Sequence, residues 1–146
     1  IYNAPKDMDA VAFFSDINVI RSVANGALAD AVVCGLNMDD VSLLGFINES
    51  FCQRLVGEQL PMAQLIERPE VIDAVRQGLT SHNAQNPNAA SRIACVLLQS
   101  TPPQSDAGEI TEKGYINQNK AQTLRANDVE RLYNDRNSNA LSYLKE

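Results

Sequence analysis

"LADAVVCGLNMDDVSLLGFIN", residues 28–48, contains two short apolar runs on either side of a polar segment. The first run covers residues 29–35 and ends at a glycine, and the second covers residues 41–47. Short apolar runs bounded by turn residues are typical of buried β-strands. We therefore predict two neighbouring strands that pair as a hairpin, with residues 36–40 as the connecting turn.

A third strand is predicted in "RIACVLL", residues 92–98, a continuous apolar stretch short enough to be a strand buried on both faces. The next residues, "QSTPPQSDAGE" at 99–109, carry the proline, serine and glycine signals of a loop. We therefore expect an irregular segment directly after the third strand.

Four helices are predicted from apolar spacing and from residues suited to helix ends. Asp16 and Asn48 are suitable N-caps, and Pro69 suits a first helical turn. Gly26 and Gly57 are suitable stops. The predicted ranges are 16–26, 49–57, 69–83 and 117–135.

This order of elements predicts an α+β fold, in which a small mixed sheet packs against helices in two layers. A chain of 146 residues with 45% hydrophobic residues has the size of one domain with its own core. Residues 1–16 show no clear period and are predicted to be a lead-in or linker, so the domain would cover residues 17–146. Because the chain begins with Ile1, we expect it to be a piece of a longer protein.

Composition excludes several classes of function. A formal net charge of -6 argues against a general nucleic-acid surface, which needs clustered Lys and Arg. No apolar run approaches the length of a membrane span, and no signal-peptide pattern opens the chain. We therefore expect no nucleic-acid or membrane partner. Cys34, Cys52 and Cys95 are widely spaced and lie in apolar surroundings, so we predict that they are reduced core thiols in a cytoplasmic protein.

The common catalytic motifs for phosphate loops, dinucleotide folds, serine hydrolases and zinc proteases are absent from the sequence. The single histidine, His82, is predicted to be a solvated residue near the end of a helix. We interpret Asp106, Glu109 and Glu112 as a solvated acidic loop rather than as a metal site. The sequence therefore predicts no metal bound by this domain.

One segment, "GEITEKGYINQNK" at residues 108–120, places Lys113 between an acidic residue and a glycine after the proline-rich loop. Residues 92–118 resemble the end of the C-terminal domain of adenylate-forming enzymes, the superfamily of acyl-CoA synthetases. Residues 28–48 resemble the strand, turn and strand that follow the hinge in that domain. With "VERLY" at residues 129–133, the final motif most resembles the bacterial feruloyl-CoA synthase branch. The similarity covers roughly residues 17–134.

The resemblance implies a mobile C-terminal lid domain of an ATP-dependent carboxylate–CoA ligase, which would be inactive alone. The ligase would convert acid, ATP and CoA into acyl-CoA, AMP and pyrophosphate, with Mg²⁺ bound through ATP and not by this domain. The partner would be the N-terminal adenylation domain of the same parent chain, together with a carboxylic acid substrate.

Lys113 matches the family lysine that enters the active site during adenylation, and Lys120 is the alternative. Glu112 stands where the family usually has glycine, and no arginine follows Ile116. A second hypothesis is a free-standing interaction module that dimerises through the apolar face of residues 116–144, without catalysis.

Overall fold

The structure is a computed structural model that describes residues 20, 21, 23, 26–34, 41–86, 92–134 and 141–142. The predicted lead-in at residues 1–16 and the predicted turn at 36–40 lie outside the described residues. Within the described residues, the fold is a small mixed α+β domain, as the sequence predicts.

A mixed sheet forms the centre of the domain. Its strands are β1 (Leu28–Cys34), β2 (Val41–Ile47), β3 (Ile93–Leu98) and the two-residue β4 (Leu141–Ser142), which lie side by side in that order. β1 runs antiparallel to β2, β2 runs parallel to β3, and β3 runs antiparallel to β4. The three predicted strands are confirmed, and the first two pair as expected.

Helices connect and cover these strands. They are α1 (Glu49–Val56), α2 (Met62–Leu65), α3 (Pro69–Gln85), α4 (Gln118–Leu124) and α5 (Ala126–Asn134). The Asn48 side chain caps α1 by accepting a hydrogen bond from the Phe51 amide at 3.1 Å, and α1 ends at Gly57, as predicted. Pro69 occupies the first turn of α3, where its missing N–H costs no hydrogen bond. Of the predicted first helix, four residues are described: Ile20, Arg21 and Val23 are helical, and Gly26, the predicted stop, has left the helix with a φ of 97°.

Both faces of the sheet carry helices, so the domain has three layers and the prediction of two is wrong. Successive side chains of β2 point to opposite faces. Leu43 packs into a cluster with Val71 and Val75 of α3, whereas Leu44 packs into a second cluster with Ala121 and Leu132. The physical reason is that every residue of β2 is apolar or small and buried, and both faces of such a strand need cover.

The last predicted helix, at residues 117–135, is broken at Arg125 into α4 and α5. Arg125 leaves the helical conformation, with φ -110° and ψ 30°. Neither glycine nor proline stands at this point, so the break has no local signal. It coincides with the contacts of the Arg125 side chain described below.

The prediction of a solvated His82 is also wrong, because this side chain is buried. His82 continues the stripe of Val71, Val75 and Leu79 at helical spacing, so it faces the interior with them.

The three cysteines are buried thiols and none forms a disulfide, as predicted. Burial raises the pKa of Cys34 to about 12 and that of Cys52 to about 11. Both therefore stay protonated near neutral pH, and we regard them as core residues rather than nucleophiles. No helix in the described ranges combines the length and apolar character that crossing a bilayer requires.

Candidate functional site

Lys113 lies at the tip of a small hairpin that follows β3. Ile110 and Ile116 form an isolated antiparallel bridge, and the Thr111 amide donates to the Tyr115 carbonyl at 2.7 Å. The turn is closed by the Gly114 amide, which donates to the Thr111 carbonyl at 3.0 Å. Lys113 is exposed, as expected for a loop residue after the third strand.

Gly114 gives the turn its shape. Its φ of 87° lies in the left-handed region, which side chains with a Cβ rarely adopt. In short hairpin loops, a residue in the left-handed conformation commonly follows the turn and leads the chain into the second arm. The Thr111 hydroxyl also accepts a hydrogen bond from the Tyr115 amide at 3.2 Å. The glycine beside Lys113 is therefore explained by backbone geometry.

The base of the hairpin is held by Glu109. Its carbonyl accepts from the Asn117 amide at 2.8 Å, which closes the base across the two arms. Its side chain is only 2% exposed, and Oε1 accepts from the Gln104 amide at 2.8 Å. The prediction that Glu109 belongs to a solvated acidic loop is therefore wrong, although Asp106 and Glu112 are exposed.

Glu109 is buried because Arg125 neutralises it. Arg125 Nε donates to Glu109 Oε2 at 2.7 Å, and Nη2 donates to Oε1 at 3.1 Å. This forked arrangement is the strong form of an arginine–carboxylate pair. The hydrogen bond from Arg125 is the main cause that lowers the pKa of Glu109, so the carboxylate is charged at neutral pH.

The remaining donors of Arg125 are also occupied. Nη1 donates to Gln99 Oε1 at 2.8 Å and to Thr101 Oγ1 at 3.3 Å, and Nη2 donates to the Pro102 carbonyl at 3.0 Å. The guanidinium also lies over the ring of Phe46, 4.8 Å from its centre. Arginine has five N–H groups, and all five are used here.

α4, which follows the hairpin, is fixed to the edge of the sheet. The Asn117 side chain caps α4 by accepting from the Lys120 amide at 3.2 Å. Gln118 and Gln122 bond to the backbone of β1, at Ala31 and Val33. β1 is an edge strand, so one side of its backbone has no neighbouring strand to bond with. The side-chain amides of the two glutamines bond to backbone groups on this strand instead. The "INQ" of the motif is thus explained by structure.

Lys120 is exposed on the first turn of α4, and its environment differs from that of Lys113. Its aliphatic stem lies beside Gly108, where a Cβ would come within 3.4 Å of Lys120 Cε. Neither lysine forms an ion pair with any carboxylate in the described ranges. Of the two, Lys113 is the one that stands at a turn tip.

An open depression of about 450 Å³ lies beside Arg125. Its lining comes from the loop after β3 and from the junction of α4 and α5: Thr101, Gln104, Ala107, Glu109, Leu124, Arg125, Asn127 and Asp128. Lys113 does not line it, so the depression and the lysine tip are separate features. Among the described side chains, no group of three or more His, Cys, Asp or Glu is placed to hold a metal ion.

Neither Arg125 nor its pairing with Glu109 is predicted from the sequence. The two residues are 16 positions apart and share no periodicity or motif, so a single sequence contains no signal for the pair. Comparisons of the chain with family descriptions, with curated proteins and with solved structures found no match.

Proposed function

We propose that this chain is the C-terminal lid domain of an ATP-dependent carboxylate–CoA ligase and that Lys113 acts in the adenylation step. The proposal combines the motif resemblance with one structural observation. Lys113 is presented at the exposed tip of a hairpin whose base is buried and hydrogen-bonded. A cation held in this way can enter the site of another domain while the domain that carries it stays folded.

The neighbours of Lys113 strengthen the proposal because several of them have structural roles. Gly114 supplies the left-handed turn position, Asn117 caps α4, and Gln118 bonds the edge strand. Glu109 anchors the base of the hairpin. Lys113 has no such role among the described contacts, and a role outside the domain accounts for its place in the motif.

The chemistry of adenylation needs such a cation. A substrate carboxylate attacks the α-phosphorus of ATP, the bond to the β-phosphate oxygen breaks, and acyl-adenylate and pyrophosphate are formed. Two anions must approach to about 3–3.5 Å, which requires orientation and positive charge. The Lys113 ammonium would contact the carboxylate and the phosphate oxygens together, while Mg²⁺ would arrive bound to ATP.

The second half-reaction does not need this lysine. The CoA thiol, losing its proton, attacks the acyl carbon of the adenylate and AMP leaves. In the lid model of these enzymes, the small domain turns between the two steps and withdraws its lysine. The hairpin tip suits such a motion because it contributes no buried side chain to the core.

The alternative of a dimerisation module is weakened by the packing of the last helices. Ile116, Ala121, Val129 and Leu132 all pack in the second core cluster against the chain's own sheet. These side chains are therefore not available as a free apolar face. Among the described side chains of this segment, which end at Leu132, Leu124 is the large apolar one that stays exposed, at 49%.

The deciding experiment separates the half-reactions in the full-length protein that contains this chain. Lys113→Ala should slow adenylation, measured by pyrophosphate exchange, roughly 10²- to 10³-fold, the usual effect of removing one well-placed electrostatic donor. Thioester formation from a preformed acyl-adenylate and CoA should proceed at nearly the parent rate.

Lys120→Ala is the matched control, since it removes another exposed lysine seven positions away. It should change neither step by more than a few-fold. Unchanged adenylation in Lys113→Ala would contradict the proposal. A loss in adenylation with Lys120→Ala alone would assign the role to the other lysine.

A further inference from the structure

We infer that the Arg125–Glu109 ion pair is a positioning device for Lys113, an inference that rests on the proposed function. The pair lies at the base of the hairpin and Lys113 lies at its tip. Glu109 immediately precedes the hairpin, and its carbonyl is hydrogen-bonded across the base to the Asn117 amide. The direction in which the tip extends therefore depends on how Glu109 is held.

The residues before the hairpin offer little other support. From 100 to 108 the loop is exposed or only partly buried, and its short 3₁₀ turn at Ser105–Ala107 has no buried residue. Glu109 is the first fully buried position after Gln99, and its side chain is bound through Arg125. On this arm of the hairpin, the ion pair is the principal connection to the body of the domain.

Arg125 contacts the central part of the fold. Its guanidinium lies over Phe46 of the central strand β2, and it bonds Gln99 directly after β3. Its amide and carbonyl continue the hydrogen bonding of α4 and α5, through Ala121 and Val129. This one residue thus joins the sheet, the loop and the hairpin base through its side chain, and the helix junction through its backbone.

The same contacts exclude a direct role for Arg125 with phosphate. All five of its N–H groups are engaged within the domain, and its side chain is 10% exposed. A substrate anion would have to displace an existing partner. Arg125 therefore acts through Lys113 as a positioning residue, and the forked pair supplies the directionality that apolar packing lacks.

A conservative substitution tests this in the full-length protein. Arg125→Lys keeps the positive charge but cannot form the fork. It should slow adenylation about 10- to 100-fold, because a displacement of about 1 Å at a reacting group can cost about that much. Thioester formation from preformed acyl-adenylate should change by less than about 3-fold. Arg76→Lys, in an exposed pair with Asp73 at 3.5 Å, is the matched control and should be neutral.

The double variant distinguishes positioning from a general structural role. If Arg125 acts through Lys113, then Arg125→Lys should slow adenylation by less than about 3-fold in a Lys113→Ala background, because the group it positions is already gone. Equal losses in the two backgrounds, or equal losses in both half-reactions, would overturn the inference. Normal adenylation in Lys113→Ala would instead reject the proposed function.

A second measurement covers the case in which Arg125→Lys is too unstable to assay. Glu109→Gln keeps the size of the side chain and removes its charge. In the folded full-length protein it should raise the rate of tryptic cleavage after Lys113 at least about 5-fold, followed by mass spectrometry, since a loosened hairpin fits the protease more readily. An unchanged cleavage rate in Glu109→Gln would overturn the inference, and Arg76→Lys again serves as the control.

Discussion

Gln118 at the start of α4 and Val33 of the edge strand β1 are joined by a hydrogen bond, in which Gln118 Oε1 accepts from the Val33 amide at 2.8 Å. The same Gln118 side chain donates to the carbonyl of Ala31 at 3.2 Å. A helix side chain therefore occupies the backbone positions that a further strand would use. This contact fixes the end of the hairpin segment to the sheet.

Gln118→Ala should lower the free energy of unfolding by about 1–3 kcal/mol, because it leaves the Val33 amide without a partner at a buried position. Chemical denaturation measures the change. Gln77→Ala is the control, since Gln77 is an exposed glutamine on α3, and it should change stability by less than about 0.5 kcal/mol. Equal effects of the two substitutions would show that the edge contact does not stabilise the fold.

Gly114→Ala should destabilise the domain by about 1–2 kcal/mol, since a Cβ disfavours the left-handed conformation. Open space surrounds the position, so the cost arises from the backbone alone. Gly57→Ala is a matched control, because Gly57 has a φ of 85° and the same open surroundings. Gly57 lies at the end of α1, outside the hairpin that carries Lys113. Both variants should lose similar stability in thermal unfolding. Under the proposed function, only Gly114→Ala should also slow adenylation in the full-length protein.

The Arg125–Glu109 pair predicts a pH dependence of stability. Arg125 holds the pKa of Glu109 below its ordinary value, so the unfolded chain binds the proton more readily than the folded one. The stabilisation is complete above the unfolded pKa of about 4.3 and is lost as the pH falls through the lower folded pKa. We expect the stability difference between the parent and Glu109→Gln to be constant above about pH 5.5 and to shrink under more acidic conditions.

Urea denaturation at a series of pH values measures this difference. Glu112→Gln, which replaces an exposed carboxylate in the same hairpin, should have a small effect across the range. A Glu109→Gln difference that stayed constant down to pH 3 would contradict a charge-based role for the pair.

Much of the local structure could be predicted from short-range patterns. The apolar runs at 29–35, 41–47 and 92–98 became β1, β2 and β3, and Asn48 and Pro69 mark helix starts where expected. These features depend on side-chain periodicity and on hydrogen bonds between residues that are close in the sequence, so the local pattern of residue types is enough to predict them. The exposed position of Lys113 after β3 belongs to the same class.

Features that depend on distant partners could not be predicted in this way. The break between α4 and α5 at Arg125, the burial of Glu109 and the inward orientation of His82 follow from contacts across the fold. The cover of both sheet faces by helices and the parallel pairing of β2 with β3 also depend on contacts between residues that are distant in the sequence.

The amino-acid sequence of this chain was sufficient to predict its three longer strands, the starts of α1 and α3, and an exposed lysine beside a glycine. The tertiary structure decided which distant groups meet. Arg125 contacts Glu109, 16 residues away, and Gln118 contacts Val33, 85 residues away. The physical reason is that local conformation is limited by bonded geometry and near neighbours. A buried charge or an edge amide is satisfied only by whichever group the packed chain brings within hydrogen-bonding distance.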